Sequence, residues 1–192
     1  HLLTWHRDWY VNDGSARHAD RLYQGAGAQW LLTIQEKRRI LLNHIYGVDI
    51  DAQAVETTKL ALLLKVLEGE TEQTLEANLR LFHERALPDL DRNIKCGNSL
   101  IGPDFYNGHQ LSMFDEDERL HVNAFDWQAE FPGAFAGADP GFDAVIGNPP
   151  YGASFTAEER EYLGTRYGAR PSTHDSYAMF MEKAVRLARP GA

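Results

Sequence analysis

The sequence contains little cysteine and no long hydrophobic run. Cys96 is the only cysteine in 192 residues, which excludes an internal disulfide framework and suits a reducing compartment. No apolar run approaches the ~20 residues that a membrane-spanning helix needs. The opening HLLTWHRDWY has neither the basic region, the apolar run nor the cleavage site of a signal peptide. We therefore expect a cytoplasmic protein that has no membrane segment.

Basic residues are also few, at 19 against 28 acidic residues, and the formal net charge is −9. Phosphate binding requires clustered Lys and Arg, so this balance argues against a large nucleic-acid surface on this chain. The eight histidines are scattered without paired ligand spacing, and we expect no metal site. The four tryptophans are interpreted as packing residues. Hydrophobic residues make up 43%, which is enough for a core.

Strand and helix patterns alternate along the chain, which predicts a doubly wound α/β sheet in one domain. The predicted strands are residues 45–50, 93–102 and 142–147. Helices are predicted near the start, after Thr33, over residues 52–68 and over residues 174–188. Residues 13–32 are rich in Gly and polar residues and are predicted to be a loop. Residues 103–140 are too long for an ordinary connection and are predicted to be an excursion or a functional loop.

Several helix starts carry capping residues. Thr33 with Glu36, and Thr156 with Glu159, have the spacing of a capping box. Asp51 is the predicted N-cap of the helix over residues 52–68.

Polar residues follow two of the predicted strands, at the sheet edge where α/β folds bind ligands. Asp49 ends the apolar strand YGVD, and an acid there can accept hydrogen bonds from ribose hydroxyls. The alternative is that Asp49 and Asp51 are only turn and cap residues. Asn98 follows Gly97 and is either a turn residue or an amide that recognises an adenine edge as donor and acceptor.

The stretch FDAVIGNPPYGA ends a predicted strand with Asn148, Pro149, Pro150 and Tyr151. The two prolines cannot continue a ladder, so they hold the neighbouring groups stiffly. The Asn148 carboxamide oxygen and the Pro149 carbonyl supply two acceptors, and Tyr151 supplies a flat stacking face. This combination suits a planar amine. Two accepted N–H groups would hold its nitrogen toward tetrahedral geometry and expose the lone pair.

These sequence motifs resemble those of the amino-methyltransferases that use S-adenosylmethionine. NPPY, YGVDI, CGNSL, FDWQAEFP and GFDAVIGNPPYG look most like adenine-specific DNA methyltransferases of bacterial restriction–modification systems, in particular the type IIG group. YAMFMEKAVRLARPGA resembles the next helical motif of that family. The resemblance covers most of the chain and implies a Rossmann-like S-adenosylmethionine-dependent methyltransferase core.

The resemblance also implies roles for individual residues. Asp49 would bind the cofactor ribose, and Ile50 would lie beside the cofactor adenine. Asn98 would contact the amino group of that adenine, with Ser99 next to it in the cofactor site. The target residues would be those of the Asn-Pro-Pro-Tyr motif, which hold and stack a flipped adenine: Asn148, Pro149, Pro150 and Tyr151. Asp175 and Tyr177 receive no role.

We expect residues 1–192 to be part of a methyltransferase catalytic domain that lacks its first and last strands. Residue 1 is not Met, and the last helical pattern ends at Pro190 and Gly191 with no strand after it. The Gly-rich loop that the family uses for the methionine moiety does not precede Leu2. We therefore expect this polypeptide alone to bind the cofactor weakly or not at all, and we expect contact with double-stranded DNA through parts absent from this chain.

Two alternatives remain open from the sequence. One is a methyltransferase that acts on RNA or on a protein glutamine, because the same clamp serves any planar amine or amide. The other is a non-catalytic scaffold module that has the same fold.

Overall fold

A computed structural model describes residues 1–25, 27–70, 89–107, 121–150, 153–168 and 176–192. This part of the chain is a mixed α/β structure with two sheets of two strands each. The chain divides into two compact units. Unit 1 holds residues 1–47 and 53–94, and unit 2 holds residues 48–52 and 95–192. Within the described ranges, no helix is long and apolar enough to cross a membrane.

Helices account for most of the regular structure described. The helices are α1 (Leu2–Gly14), α2 (Ile34–His44), α3 (Ala52–Leu67), α4 (Trp127–Glu130), α5 (Pro132–Phe135), α6 (Ala157–Arg166) and α7 (Ser176–Leu187). The strands are β1 (Leu22–Gln24), β2 (Trp30–Leu32), β3 (Gly47–Asp49) and β4 (Ile94–Cys96). Two 3-10 helices cover Ser15–His18 and Pro103–Tyr106.

The first part of unit 1 contains a hairpin where the sequence predicted a loop. Strands β1 and β2 are antiparallel, with Leu22 opposite Leu32. Both leucines are buried, and they pack with Tyr10 and Ile40 in one apolar cluster. The Gly-rich stretch after β1 therefore forms the hairpin connection rather than an extended loop, and three-residue strands are too short to show a clear alternation.

A buried polar network joins α1 to α2. The Tyr10 hydroxyl donates to Glu36 Oε1 at 2.5 Å. Arg39 donates to both carboxylate oxygens of Glu36, from Nε at 2.8 Å and from a terminal nitrogen at 2.7 Å. Thr33 caps α2 as predicted, because its side chain accepts from the Glu36 N–H. The reciprocal half of that capping box was predicted wrongly, since the Glu36 carboxylate is held by Tyr10 and Arg39 instead.

Strands β3 and β4 pair in the same direction. In unit 1 the Gly47 N–H donates to the Asn93 carbonyl at 2.8 Å, and in unit 2 the Gly97 N–H donates to the Asp49 carbonyl at 2.9 Å. The residue numbers of the bonded pairs increase in the same direction on both strands, from Gly47 and Asn93 to Asp49 and Gly97, which is the pattern of a parallel pair. The buried Asn93 side chain also donates to the Leu42 carbonyl at 2.8 Å. Both strands are shorter than the predicted ranges.

Helix α3 connects the two strands in the chain and agrees with the predicted range 52–68. It begins directly after Asp51. Val55 packs with Leu90 and Ile94, and Val66 packs with Ile34 and Leu41. The buried face of α3 therefore covers both α2 and the start of β4 within unit 1.

The core of unit 2 surrounds the end of α6. Its buried members are Leu100, Ile101, Phe105, Val122, Leu163, Tyr167 and Met179. The predicted capping box at Thr156 and Glu159 is confirmed in full, with bonds of 3.1 Å and 2.8 Å in the two directions. The last predicted helix is confirmed as α7, with residues 174 and 175 of its predicted range lying outside the described residues.

The predicted strand over residues 142–147 is wrong in this structure. Phe142 forms only an isolated parallel bridge with Ala188, and no strand is assigned beyond it. Ile146 is 97% exposed and Val145 is 37% exposed. A strand exists only where a neighbour accepts its backbone bonds, and in the described part of the chain none lies beside residues 144–147. The apolar pattern alone does not supply that neighbour.

Replacing Glu36 with Gln tests the polar network of unit 1. Burial raises the pKa of Glu36, but the hydrogen bonds from Arg39 and Tyr10 outweigh burial and lower the pKa overall. The ionised form therefore stabilises the fold above the ordinary pKa, and this stability is lost as the pH falls through the lowered pKa. We expect Glu36→Gln to cost about 2 kcal/mol of unfolding free energy at pH 7.

The measurement is urea unfolding at pH 7 and at acidic pH. The loss should shrink as the pH falls below the ordinary value of 4.5. Glu56→Gln is the matched control, because its salt bridge to Lys59 is exposed and should change stability by less than about 1 kcal/mol. Equal losses of unfolding free energy in Glu36→Gln and Glu56→Gln would show that the buried network stabilises the fold no more than an exposed salt bridge does.

Candidate functional site

The parallel pairing in unit 2 brings together the residues predicted for a cofactor site. Asp49 accepts the Gly97 N–H through its backbone carbonyl at 2.9 Å. One residue further on, the Ile50 carbonyl accepts the Cys96 thiol at 3.4 Å. Asp49 and Ile50 therefore lie beside the end of β4, directly before Asn98. The sequence predicted that these residues lie at one edge of the sheet, because Asp49 and Asn98 each follow an apolar strand.

Asp49 has a carboxylate that is only partly used by the chain. Its Oδ1 accepts the Asp51 N–H at 2.9 Å, which closes a tight turn into α3. The side chain is exposed, and its other oxygen has no partner among the described residues. The turn role of Asp49 is therefore confirmed, and the ribose role stays a prediction that the second oxygen leaves open.

Asn98 uses its carboxamide oxygen for the turn that follows it. Oδ1 accepts the Leu100 N–H at 3.1 Å and the Ile101 N–H at 3.2 Å. Backbone N–H groups can bind only the oxygen, so this fixes the orientation of the amide. The carboxamide was expected to offer both a donor and an acceptor. In the structure Nδ2 remains as a donor, and the acceptor is already occupied twice.

The Asn98 turn is held on its other side by residues that follow Val122. The Asn98 N–H donates to the Asn123 carbonyl at 2.7 Å, and the Phe125 N–H donates to the Ile101 carbonyl at 2.8 Å. The Trp127 Nε1–H donates to the Ser99 carbonyl at 3.1 Å. Trp127 was expected only to pack, and its hydrogen bond was missed. The sequence carries no signal of which carbonyl the indole reaches.

Gly97 is the residue that allows this close approach. A Cβ atom at this position would lie 2.4 Å from the Phe125 ring and 2.9 Å from its Cβ. Contacts under 3.0 Å do not occur in real structures, so any side chain here would push Phe125 away. The glycine before Asn98 is therefore required by packing against Phe125 rather than by an unusual backbone conformation.

Tyr167 reaches the same turn from the end of α6. Its hydroxyl donates to the Leu100 carbonyl at 2.8 Å, and the residue is 6% exposed. Burial raises the pKa of Tyr167, so the phenol stays protonated and remains a donor throughout the physiological range. Arg186 lies over the Tyr167 ring, 5.0 Å from its centroid.

The Asn-Pro-Pro residues lie in a segment without regular secondary structure. Asn148 and Pro150 are exposed, and Pro149 is half-buried. The Pro150 carbonyl accepts a hydrogen bond from the Ser176 hydroxyl at 3.2 Å. Within the described ranges, Asn148 makes no hydrogen bond to Asp49 or Asn98. Tyr151, the fourth predicted residue of this motif, and Asp175 lie outside the described residues.

Ser176 is a contact that the sequence did not predict. It is the first residue of α7 and is 2% exposed. Its hydroxyl ties the helix to the carbonyl between Pro150 and the next residue. The bond is made to the Pro150 carbonyl, and no donor among the described residues contacts the Pro149 carbonyl. The adjacent Tyr177 is 48% exposed.

Comparison with known proteins identifies the family. The family model for the Eco57I restriction-modification methylase matches residues 43–192, which contain Asp49, Asn98 and Asn148. The chain belongs to this family. The resemblance that was drawn from NPPY and its flanking words to a restriction–modification methyltransferase is therefore confirmed.

Two curated proteins are similar to this chain. One is the type II restriction enzyme and methyltransferase RM.Eco57I of Escherichia coli, 30% identical over 185 residues, covering 94% of the chain and 16% of that protein. The other is the putative type II restriction enzyme and methyltransferase RM.MjaORFECS2P of Methanocaldococcus jannaschii, 43% identical over 79 residues, covering 41% of the chain and 6% of that protein. The chain thus spans less than a fifth of the length of either relative. No solved structure matches it significantly.

Removing the Ser176 hydroxyl tests the anchoring of the Asn-Pro-Pro segment. We expect Ser176→Ala to lower the unfolding free energy by about 1 kcal/mol, because the hydrogen bond of the buried Ser176 hydroxyl to the Pro150 carbonyl is lost. Ser176→Thr keeps the hydroxyl and should lose less. The measurement is chemical denaturation of the three proteins. A Ser176→Ala variant as stable as the parent would contradict the assigned hydrogen bond.

Proposed function

We propose that the protein containing this chain is a DNA methyltransferase that transfers a methyl group from S-adenosylmethionine to the N6 amino group of a flipped adenine. The observation that carries this proposal is the exposed Asn148 beside two prolines, within the range matched by the methylase family. The methyltransferase core is proposed to be Rossmann-like, and the parallel pair β3–β4 supports this as two neighbouring strands of such a sheet.

The residues at the end of β3 and β4 fit a nucleoside. The open oxygen of Asp49 can accept from ribose hydroxyls, and the Ile50 side chain is 57% exposed and offers an apolar face. Asn98 Nδ2 and the Ser99 N–H are two donors without a partner among the described residues, and adenine ring nitrogens are acceptors. We therefore propose that Asn98 donates to the cofactor ring, rather than accepting from its amino group.

S-adenosylmethionine supplies an electrophilic methyl group when it is bound. The chain supplies the groups that hold the target. Asn148 Oδ1 and the Pro149 carbonyl accept the two N–H bonds of the amine, which moves the nitrogen away from planarity and exposes its lone pair. The hydrogen bond from Ser176 to the Pro150 carbonyl holds the peptide group next to the Pro149 carbonyl.

An adenine inside a duplex cannot reach these groups, so the base must leave the stack at a cost of a few kcal/mol. Stacking on Tyr151 would recover about 1–3 kcal/mol. Alignment of the reacting atoms by the Asn-Pro-Pro segment can lower the activation free energy by up to about 7–11 kcal/mol.

The decisive experiment is tritium transfer from labelled S-adenosylmethionine, using the whole protein. Duplex DNA, RNA and glutamine-containing protein are offered separately, and the labelled product is digested and identified. Label in N6-methyladenine from DNA supports the proposal. Label only in RNA or in glutamine would assign the clamp to another planar amine, and no binding of the cofactor would favour the scaffold alternative.

Replacing Asn148 with Ala should remove turnover but leave the cofactor site intact. We expect kcat to fall by at least about 100-fold, because one acceptor for the developing charge is lost. The measured Kd for S-adenosylmethionine should change by less than about twofold, since Asn148 does not contact Asp49 or Asn98. Asn12→Ala, an exposed change on α1, is the control. Loss of cofactor affinity in Asn148→Ala would show that Asn148 contacts the cofactor rather than the target amine, which would contradict the proposed role.

Replacing Asp49 with Asn should have the opposite profile. The amide oxygen can still accept the Asp51 N–H and close the turn, but the negative charge for the ribose hydroxyls is lost. We expect the Kd for S-adenosylmethionine to rise by about tenfold, the value of one charge-assisted hydrogen bond. Equilibrium dialysis with labelled cofactor measures this change. Asp20→Asn, at an exposed position of unit 1, should bind like the parent.

A further inference from the structure

We infer that Trp127 and Tyr167 are positioning residues that orient the Asn98 carboxamide for its ligand by holding two consecutive peptide groups. The inference rests on the proposed function, because it assigns the ligand of that turn to the cofactor. Neither residue needs to touch the cofactor. Each acts through the backbone between Ser99 and Ile101.

The first step is the geometry of the peptide group. A trans peptide is planar, and its carbonyl and N–H point to opposite sides. The Ser99 carbonyl and the Leu100 N–H belong to one such group. Trp127 donates to that carbonyl at 3.1 Å, while the N–H on the far side donates to Asn98 Oδ1 at 3.1 Å. The indole therefore fixes the plane that presents one N–H to Asn98.

The second step repeats this arrangement one residue later. The Leu100 carbonyl and the Ile101 N–H belong to the next peptide group. Tyr167 donates to the carbonyl at 2.8 Å, and the N–H donates to Asn98 Oδ1 at 3.2 Å. The same carboxamide oxygen is thus gripped by two N–H groups, and each peptide plane is held from behind by a side chain.

The third step concerns how rigidly the two side chains are held. Trp127 begins α4, whose N-cap Asp126 accepts the N–H groups of Gln128 and Ala129 at 3.0 Å and 3.1 Å. Its ring also lies 5.4 Å from Phe125 and 5.8 Å from Phe131, measured between centroids. Phe125, Asp126 and Trp127, the three residues of the FDW motif, therefore all stabilise this turn.

Tyr167 is held comparably well. It directly follows α6, its N–H donates to the Leu163 carbonyl at 2.9 Å, and its ring packs in the unit 2 core. The consequence for Asn98 is directional. With Oδ1 fixed by two N–H groups, Nδ2 is fixed as well, and the Ser99 N–H lies in the adjacent peptide. The two donors proposed for the cofactor ring are therefore preorganised before the ligand arrives.

The test compares Trp127→Phe, Tyr167→Phe and the double variant in the whole protein. Each change keeps an aromatic ring in place and removes one donor. We expect the Kd for S-adenosylmethionine to rise about threefold in each single variant and about tenfold in the double variant. At saturating cofactor, kcat should stay within about twofold of the parent, because Asn148 and its segment are unchanged.

Tyr162→Phe is the matched control, because it lies on α6, which Tyr167 directly follows, and it also loses the bonds of a half-buried phenol. The Tyr162 hydroxyl accepts the Gly102 N–H at 3.2 Å and donates to Asp104 at 2.6 Å, outside the two peptide groups that face Asn98. It should lower the melting temperature without changing the Kd. A purely structural role for Trp127 and Tyr167 would give this same profile and would overturn the inference.

Residue-resolved hydrogen–deuterium exchange gives a second measurement that needs no cofactor. The Leu100 and Ile101 amides should exchange faster in the Trp127 and Tyr167 variants, whereas Tyr162→Phe should affect Gly102 alone. Unchanged exchange at Leu100 and Ile101 would overturn the positioning role. Faster exchange in a protein whose parent binds no S-adenosylmethionine would support that role and reject the proposed function instead.

Discussion

The candidate site depends on the parallel pairing of β3 with β4. The bond from the Gly97 N–H to the Asp49 carbonyl places a carboxylate beside the Asn98 turn, and neither residue alone would make a binding surface. Parallel strands bring their carboxyl ends to one edge, so both polar groups emerge at the same place. Every role proposed for Asp49, Ile50, Asn98 and Ser99 follows from this alignment.

The site also combines structural hydrogen bonds with side-chain atoms that remain open to a ligand. Asp49 and Asn98 each use an oxygen to close their own turn, at 2.9 Å from the Asp51 N–H and at 3.1–3.2 Å from two later N–H groups. This use determines which of their remaining atoms can meet a ligand. At Asn98 it leaves the amide nitrogen as a donor, because the oxygen already accepts two hydrogen bonds.

The parts of the structure that the sequence predicted are those determined by local chemistry. The Thr156 capping box, helix α3 and the edge residues Asp49 and Asn98 all follow from residues that interact within a few positions or from a strand that ends in a polar residue. The predictions that were wrong concern distant partners. Glu36 has the spacing of a capping box, yet Tyr10 and Arg39 hold it, and Ile146 has the pattern of a buried strand without a described neighbour to pair with. The hydrogen bonds of Trp127 and Tyr167 could not be read from residue type, because an aromatic ring in a core gives no sign of which carbonyl its polar atom reaches.

The bond between residues 49 and 97 also has a kinetic consequence. A contact between residues so far apart in the chain closes a long loop, and the entropy of that closure must be lost before the contact contributes any stability. The hairpin of β1 and β2 and the turns inside the helices need no such closure. The edge formed by the ends of β3 and β4 should consequently be among the last features to assemble during folding, so a newly made chain would form its helices and the β1–β2 hairpin before this surface.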